Sequence, residues 1–143
     1  MMRGMSKPLL PIGTALLLLA LAGCQAKPSV VGKWKGKSIS GLPSGTETEK
    51  MVKKMSEESV TKLELEFKGD GSAVIGGGGG TTVEGKYTLV GNQVTFTMDT
   101  SKIPNYPKGQ PAPKPVNLTL SADGKSLTMS GDNPGVVTLE KVP

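Results

Sequence analysis

Histidine is absent, cysteine and arginine occur once each, and only five of the 143 residues are aromatic. Without histidine there is no imidazole general base and no charge switch near neutral pH. A lone Cys24 excludes an intrachain disulfide and a Cys/His zinc site. The net charge of +5 suggests an anionic partner. Arg3 is the only arginine, however, and no aromatic interleaves with the scattered lysines, so nucleic acid is not an expected partner. Glycine (20) and proline (11) are plentiful. They favour short elements joined by turns over a large helical or α/β enzyme.

Residues 1–23 join a basic end, Arg3 and Lys7, to the apolar run Ile12–Ala22. That run has signal-peptide length and falls short of the roughly 20 apolar residues of a membrane span. It ends in Leu21-Ala22-Gly23-Cys24, which resembles the lipobox of bacterial lipoproteins at all four positions. The resemblance implies cleavage before Cys24, a diacylglyceryl group on its thiol and, in many members, a further acyl chain on the new amine. The plainer alternatives are a secretory peptide ending near an unrelated cysteine, or a single-pass anchor. Two or more acyl chains give lasting attachment, at about 0.8 kcal/mol per buried CH₂.

On this reading residues 24–29 are the lipidated cysteine and a short tether, and residues 30–143 are one domain. Five extended residues reach at most about 17 Å, so the domain would sit close to the lipid surface. The expected location is the cell membrane or outer membrane, with the domain outside the cytoplasm. By the same resemblance, Gln25 in place of Asp permits transfer to the outer membrane of a Gram-negative cell. The processed chain of 120 residues suits a single core and carries 15 Lys against 12 acids, a net of +3. Lys33, Lys35 and Lys37 alternate along one strand face, either as a solvated face or as a contact for lipid headgroups.

Beyond the tether the sequence reads as strands. Val30–Ile39 alternates, with Gly32, Trp34 and Gly36 on one side and lysines on the other. Gly41–Gly45 breaks the chain, and Thr46 with Glu49 has capping-box spacing. A short amphipathic helix is expected over Glu47–Ser59, with Met51, Val52 and Met55 on its apolar side. From Thr61 the period is two: Leu63, Leu65 and Phe67 alternate with charged residues. Asp70-Gly71 predicts a primed hairpin turn. Further strands are expected at Ser72–Ile75, Thr81–Val90, Gln93–Met98, Val116–Leu120, Ser126–Ser130 and Val136–Val142. Hairpin-joined neighbours make an antiparallel meander, and closure into a barrel is the smallest rearrangement that hides both its edges and its apolar face. The fold class is therefore all-β: about eight antiparallel strands in an up-and-down barrel, with one short helix after the first strand.

Gly32-Lys33-Trp34 resembles the Gly-x-Trp signature of the lipocalin (calycin) barrels. The spacing of Phe67, Asp70-Gly71, Gly85-x-Tyr87, Gly91-Asn92 and Phe96-Thr97 is similar to that of small bacterial lipocalin-like lipoproteins. The resemblance implies that Trp34 closes one barrel end under a basic side chain from the last strand. Here Lys141 would have to replace the family's arginine, and no long C-terminal helix follows the barrel.

Function is less legible. Glu64 and Glu66 share a face with Lys62 and Lys68 and should meet solvent; Asp70 and Asp123 belong to turns. No nucleophile motif, phosphate loop or calcium-loop spacing occurs, so no catalytic residue, metal or cofactor is expected and the role is read as binding. The inward set either packs as core or lines a cavity, and 120 residues leave little packing to spare. If a small hydrophobic ligand enters, Trp34, Phe67, Tyr87, Phe96 and Met98 are the expected contacts. The other reading is a docking, inhibitory or assembly lipoprotein that meets an envelope protein through a filled barrel. The run Ile103–Pro115, with Tyr106 inside it, would then be either a recognition segment or a stiff loop across the barrel end.

Overall fold

The computed structural model describes residues 29–132 and 134–143. Cys24 and the signal segment lie outside the described residues. The elements are β1 (Gly32–Ser40), α1 (Glu47–Thr61), β2 (Glu64–Phe67), β3 (Ser72–Gly76), β4 (Thr82–Val90), β5 (Gln93–Met98), a 3₁₀ turn (Thr100–Lys102), β6 (Val116–Leu120), β7 (Ser126–Ser130) and β8 (Val136–Lys141). Each strand pairs antiparallel with its chain neighbour, and β8 returns to β1, so the eight strands close a barrel.

Strand register turns the alternation into an interior. Trp34 stands opposite Leu65 on one side and Lys141 on the other. Tyr87 faces Phe96, Val94 faces Leu118, and Leu127 faces both Leu120 and Leu139. Trp34, Phe67, Val94, Phe96, Leu118, Leu120, Leu127 and Leu139 are all essentially out of solvent, and among the described residues no polar side chain is buried with them. The alternate positions pair charges outside: Lys33 stands across from Glu66 and Lys35 from Glu64, while Lys37 makes an ion pair with Glu140. The lysine face is thus a ladder of opposite charges, an arrangement worth a few tenths of a kcal/mol per pair up to about 1.

The Asp-Gly turns differ from the primed geometry in an instructive way. At 68–72 the Gly71 N–H donates to the Lys68 carbonyl at 3.2 Å and the Lys68 N–H to that of Ser72 at 2.9 Å. Only Gly71 has positive φ (+87°), so the loop is a three-residue turn closed by a left-handed glycine, whereas a primed I′ turn would need Asp70 there too. Asp70 keeps an ordinary φ because its carboxylate is used locally, accepting the Ser72 N–H (2.9 Å) and hydroxyl (2.6 Å). The turn at 121–125 repeats the device with Asp123, Ser121 and Gly124. The β4–β5 hairpin has positive φ at Gly91 but not at Asn92, the II′ pattern.

Helix α1 begins as expected. The Thr46 hydroxyl accepts the Glu49 N–H, and the Glu49 carboxylate accepts the N–H groups of Thr46 and Gly45. It runs two residues beyond the expected end, to Thr61. Its apolar side is a correction. Met51, Val52 and Met55 are 67, 52 and 62 % exposed, and the one buried helix residue is Val60. Strand side chains supply the buried core, so only the last helical turn is buried against it. That turn rests on β1 at Gly36, whose N–H donates to the Leu63 carbonyl at 2.8 Å.

Candidate functional site

Alternating strand direction sorts the connections onto two ends. The tight turns at 68–71, 91–92 and 121–125 share one end with Ser29 and Val142. The connections at 77–81 and 131–135 and the two long ones, 41–63 with α1 and 99–115, share the other.

The tight-turn end is closed. Trp34 is 1 % exposed; its indole N–H donates to the Val30 carbonyl at 2.8 Å. The Lys141 ammonium lies 5.5 Å from the centre of the Trp34 ring and donates to the Ser29 carbonyl at 3.0 Å. Lys141 thus occupies the place that the lipocalin resemblance gave to a basic residue of the last strand. Phe67 meets Tyr87 edge-on, centroids 4.9 Å apart at 78°, and the Tyr87 hydroxyl donates to the Lys68 carbonyl at 2.8 Å. Partial burial, with a smaller contribution from Asp70, raises the Tyr87 pKa. Phe96 presses on Gly85, where an added Cβ would come within 2.7 Å of the ring, and Met98 packs against the same cluster. The five residues singled out for a ligand are therefore brought together as one packed body.

The long-loop end is open. A cleft of about 830 Å³ lies there. The last inward side chains of four strands line its depth: Val137 stands opposite both Ile39 and Met129, and Val116 lies two residues before Leu118, the partner of Met129. Leu42, Val52 and Ser56 form one side, from the β1–α1 connection and the helix. Lys114 and Asp132 stand at the rim as an exposed ion pair 3.3 Å apart. None of Trp34, Phe67, Tyr87, Phe96 or Met98 lines this cleft. The volume lies within the few hundred to about 1,000 Å³ usual for small-molecule sites, and an apolar lining with a few polar rim groups is their usual chemistry. Period-two reading counts Met129 as inward, but it does not mark which inward positions end under a long loop.

Other features resolve into structure. Tyr106 donates its hydroxyl to the Pro111 carbonyl at 2.7 Å, so its polar tip is used inside its own loop, which joins β5 to β6 across the open end. Asp99 accepts the Ser101 N–H and hydroxyl, which lowers its pKa, and Lys102 pairs with Glu84, which raises its own. Among the described residues no group of three potential metal ligands converges, and no helix is long and apolar enough to cross a membrane.

Comparison with solved structures bears on this geometry. A lipocalin-like protein from Bacteroides uniformis matches at 18% identity and a TM-score of 0.52, covering 79% of this chain and 98% of its own. The fold is a lipocalin-like barrel. A DUF4847 family protein from Bacteroides vulgatus (12% identity, TM-score 0.50, 82% of this chain and 95% of its own) shares the architecture. So does an uncharacterized protein from Bacteroides eggerthii (13%, 0.51, 80% and 100%). No protein-family model and no curated protein matches the sequence. At these identities the likeness concerns the lipocalin-like fold alone.

Proposed function

We propose that the protein is a lipid-anchored envelope lipoprotein with a non-catalytic binding role, and that its ligand is a small hydrophobic molecule held in the cleft at the long-loop end. The open cleft carries this reading: the aromatic side chains pack together in the buried core, whereas the cleft presents Ile39, Val116, Met129 and Val137 to an incoming apolar group. Attachment through acylated Cys24 follows from the lipobox resemblance. The test is titration of the protein with a fluorescent fatty-acid analogue. Saturable binding is expected, and Val52→Glu, at a half-exposed position on the cleft wall, should weaken it about tenfold, or about 1.4 kcal/mol. Failure to bind, or binding indifferent to that change, contradicts the reading.

One observation favours the docking alternative. Met51, Val52 and Met55 extend the apolar lining onto the open face of α1, and methionine surfaces adapt to protein partners. Under that alternative an envelope protein crosslinks to α1, and Met51→Lys with Met55→Lys abolishes the crosslink while leaving fatty-acid binding unmoved.

A further inference from the structure

We infer that the tight-turn end of the barrel is a lipid-docking face, so that the cleft opens away from the bilayer; this rests on acylation of Cys24. Four exposed aliphatic side chains lie at that end, Val31 and Val142 at the β8–β1 seam and Leu89 and Val90 across the barrel on the β4–β5 hairpin, at 41, 44, 38 and 76 % exposure. Val31 and Val142 flank the start of β1, the Val142 N–H donating to the Lys33 carbonyl at 2.8 Å. Val90 tips the β4–β5 hairpin. The Tyr87 N–H bonds the Gly71 carbonyl, level with the neighbouring turn, so Val90 extends about 10 Å further along the strand at about 3.3 Å per residue. Branched aliphatic chains on a protruding tip are costly in water, and the interfacial region of a bilayer accepts them.

The chain leaves the domain at this same end, where the Ser29 hydroxyl accepts the Val31 N–H and Lys141 holds the Ser29 carbonyl. Five Cα-to-Cα steps separate Cys24 from Ser29, a reach of at most about 17 Å. The nine residues of β1 span about 30 Å, a length the tether cannot run back along. Charge does not drive the contact. Asp70 and Asp123 are turned into their own turns beside Lys68 and Lys125, Lys33 stands across from Glu66, and Lys141, the one cation in excess, is engaged by the Ser29 carbonyl and the Trp34 ring. The partner surface is the apolar margin of the bilayer, and the attachment of this face is indifferent to salt.

The experiment uses the full-length acylated protein in phosphatidylcholine vesicles. With Cys24 acylated, a cysteine introduced by Val90→Cys, Val142→Cys or Asn105→Cys is the free thiol that takes an environment-sensitive fluorophore. Probes at 90 and 142 are expected to shift to the blue and to be quenched by aqueous iodide several-fold less than the probe at 105, on the long-loop end, with no release at high salt. Equal quenching at all three positions, or shielding of position 105, overturns the docking face while leaving the anchor intact. Protein that fails to float with the vesicles overturns the anchor itself, and the docking face falls with it.

Discussion

A methyl group added at Gly36 would lie 1.8 Å from the Val60 carbonyl oxygen. Glycine in a strand interior often marks such a close backbone approach. Here it lets the last turn of α1 settle into the barrel mouth at the point where β1 bulges, between Gly36 and Ser38. Gly36→Ala should therefore destabilise the fold by about 2–3 kcal/mol, the upper part of the usual range for overpacking a core. Gly77→Ala is the control: nothing lies within 4 Å of the added carbon, and a change within about 0.5 kcal/mol is expected. Urea denaturation of the two variants checks the pair. Trp34 and Lys141 were legible at this scale because the Gly-x-Trp resemblance asks for a basic partner by name. Gly36 was not, because the helix that presses on it is distant in sequence.

Single elements were easiest to read where two independent signals agreed. Gln93–Met98, Val116–Leu120 and Ser126–Ser130 have the expected bounds, since alternation and flanking turn residues mark the same limits. The capping box of Thr46 and Glu49 placed the helix start in the same way. The apolar face of α1 was misread because amphipathicity reports a preference for burial and not the presence of a surface to be buried against. At the turns, the primed geometry was expected from Asp-Gly alone, yet the Ser72 and Ser121 hydroxyls give the carboxylates local partners that suit an ordinary φ.

Those turns also predict a pH dependence. Hydrogen bonds from Ser72, Ser101 and Ser121 hold the carboxyls of Asp70, Asp99 and Asp123 below the usual range. A lowered folded-state pKa means that the unfolded chain binds the proton more readily. The stabilisation is complete above the unfolded value of about 3.9 and drains away as pH falls through the folded values. Melting temperature should therefore drop as the pH is lowered from about 5 towards 2, and the combined change of Asp70, Asp99 and Asp123 to Asn should flatten that acid limb. A slope unchanged in the triple variant would assign acid sensitivity to other carboxylates.

For the whole molecule, the decisive asymmetry is that tight turns close one end and long connections crown the other. It follows from an up-and-down chain whose two long connections, 41–63 and 99–115, both fall at one end, so their placement marks the open end. What the sequence left open was where an apolar group could enter. The large aromatic residues attract attention as ligand contacts, but they are the side chains best able to fill a small barrel, and they pack its interior. The cleft instead takes its lining from smaller residues, Ile39, Val116, Met129 and Val137, whose strands end beneath loops.

The central claim is that an apolar ligand meets the mouth of this barrel and not its interior. Methyl-labelled nuclear magnetic resonance spectra recorded during titration with a fatty acid test it most directly. The methyl signals of Ile39, Val116, Met129 and Val137 are predicted to move together and saturably, while those of Val94, Leu127 and Leu139 stay in place. Shifts centred on Val94, Leu127 and Leu139, with the mouth unperturbed, would contradict it.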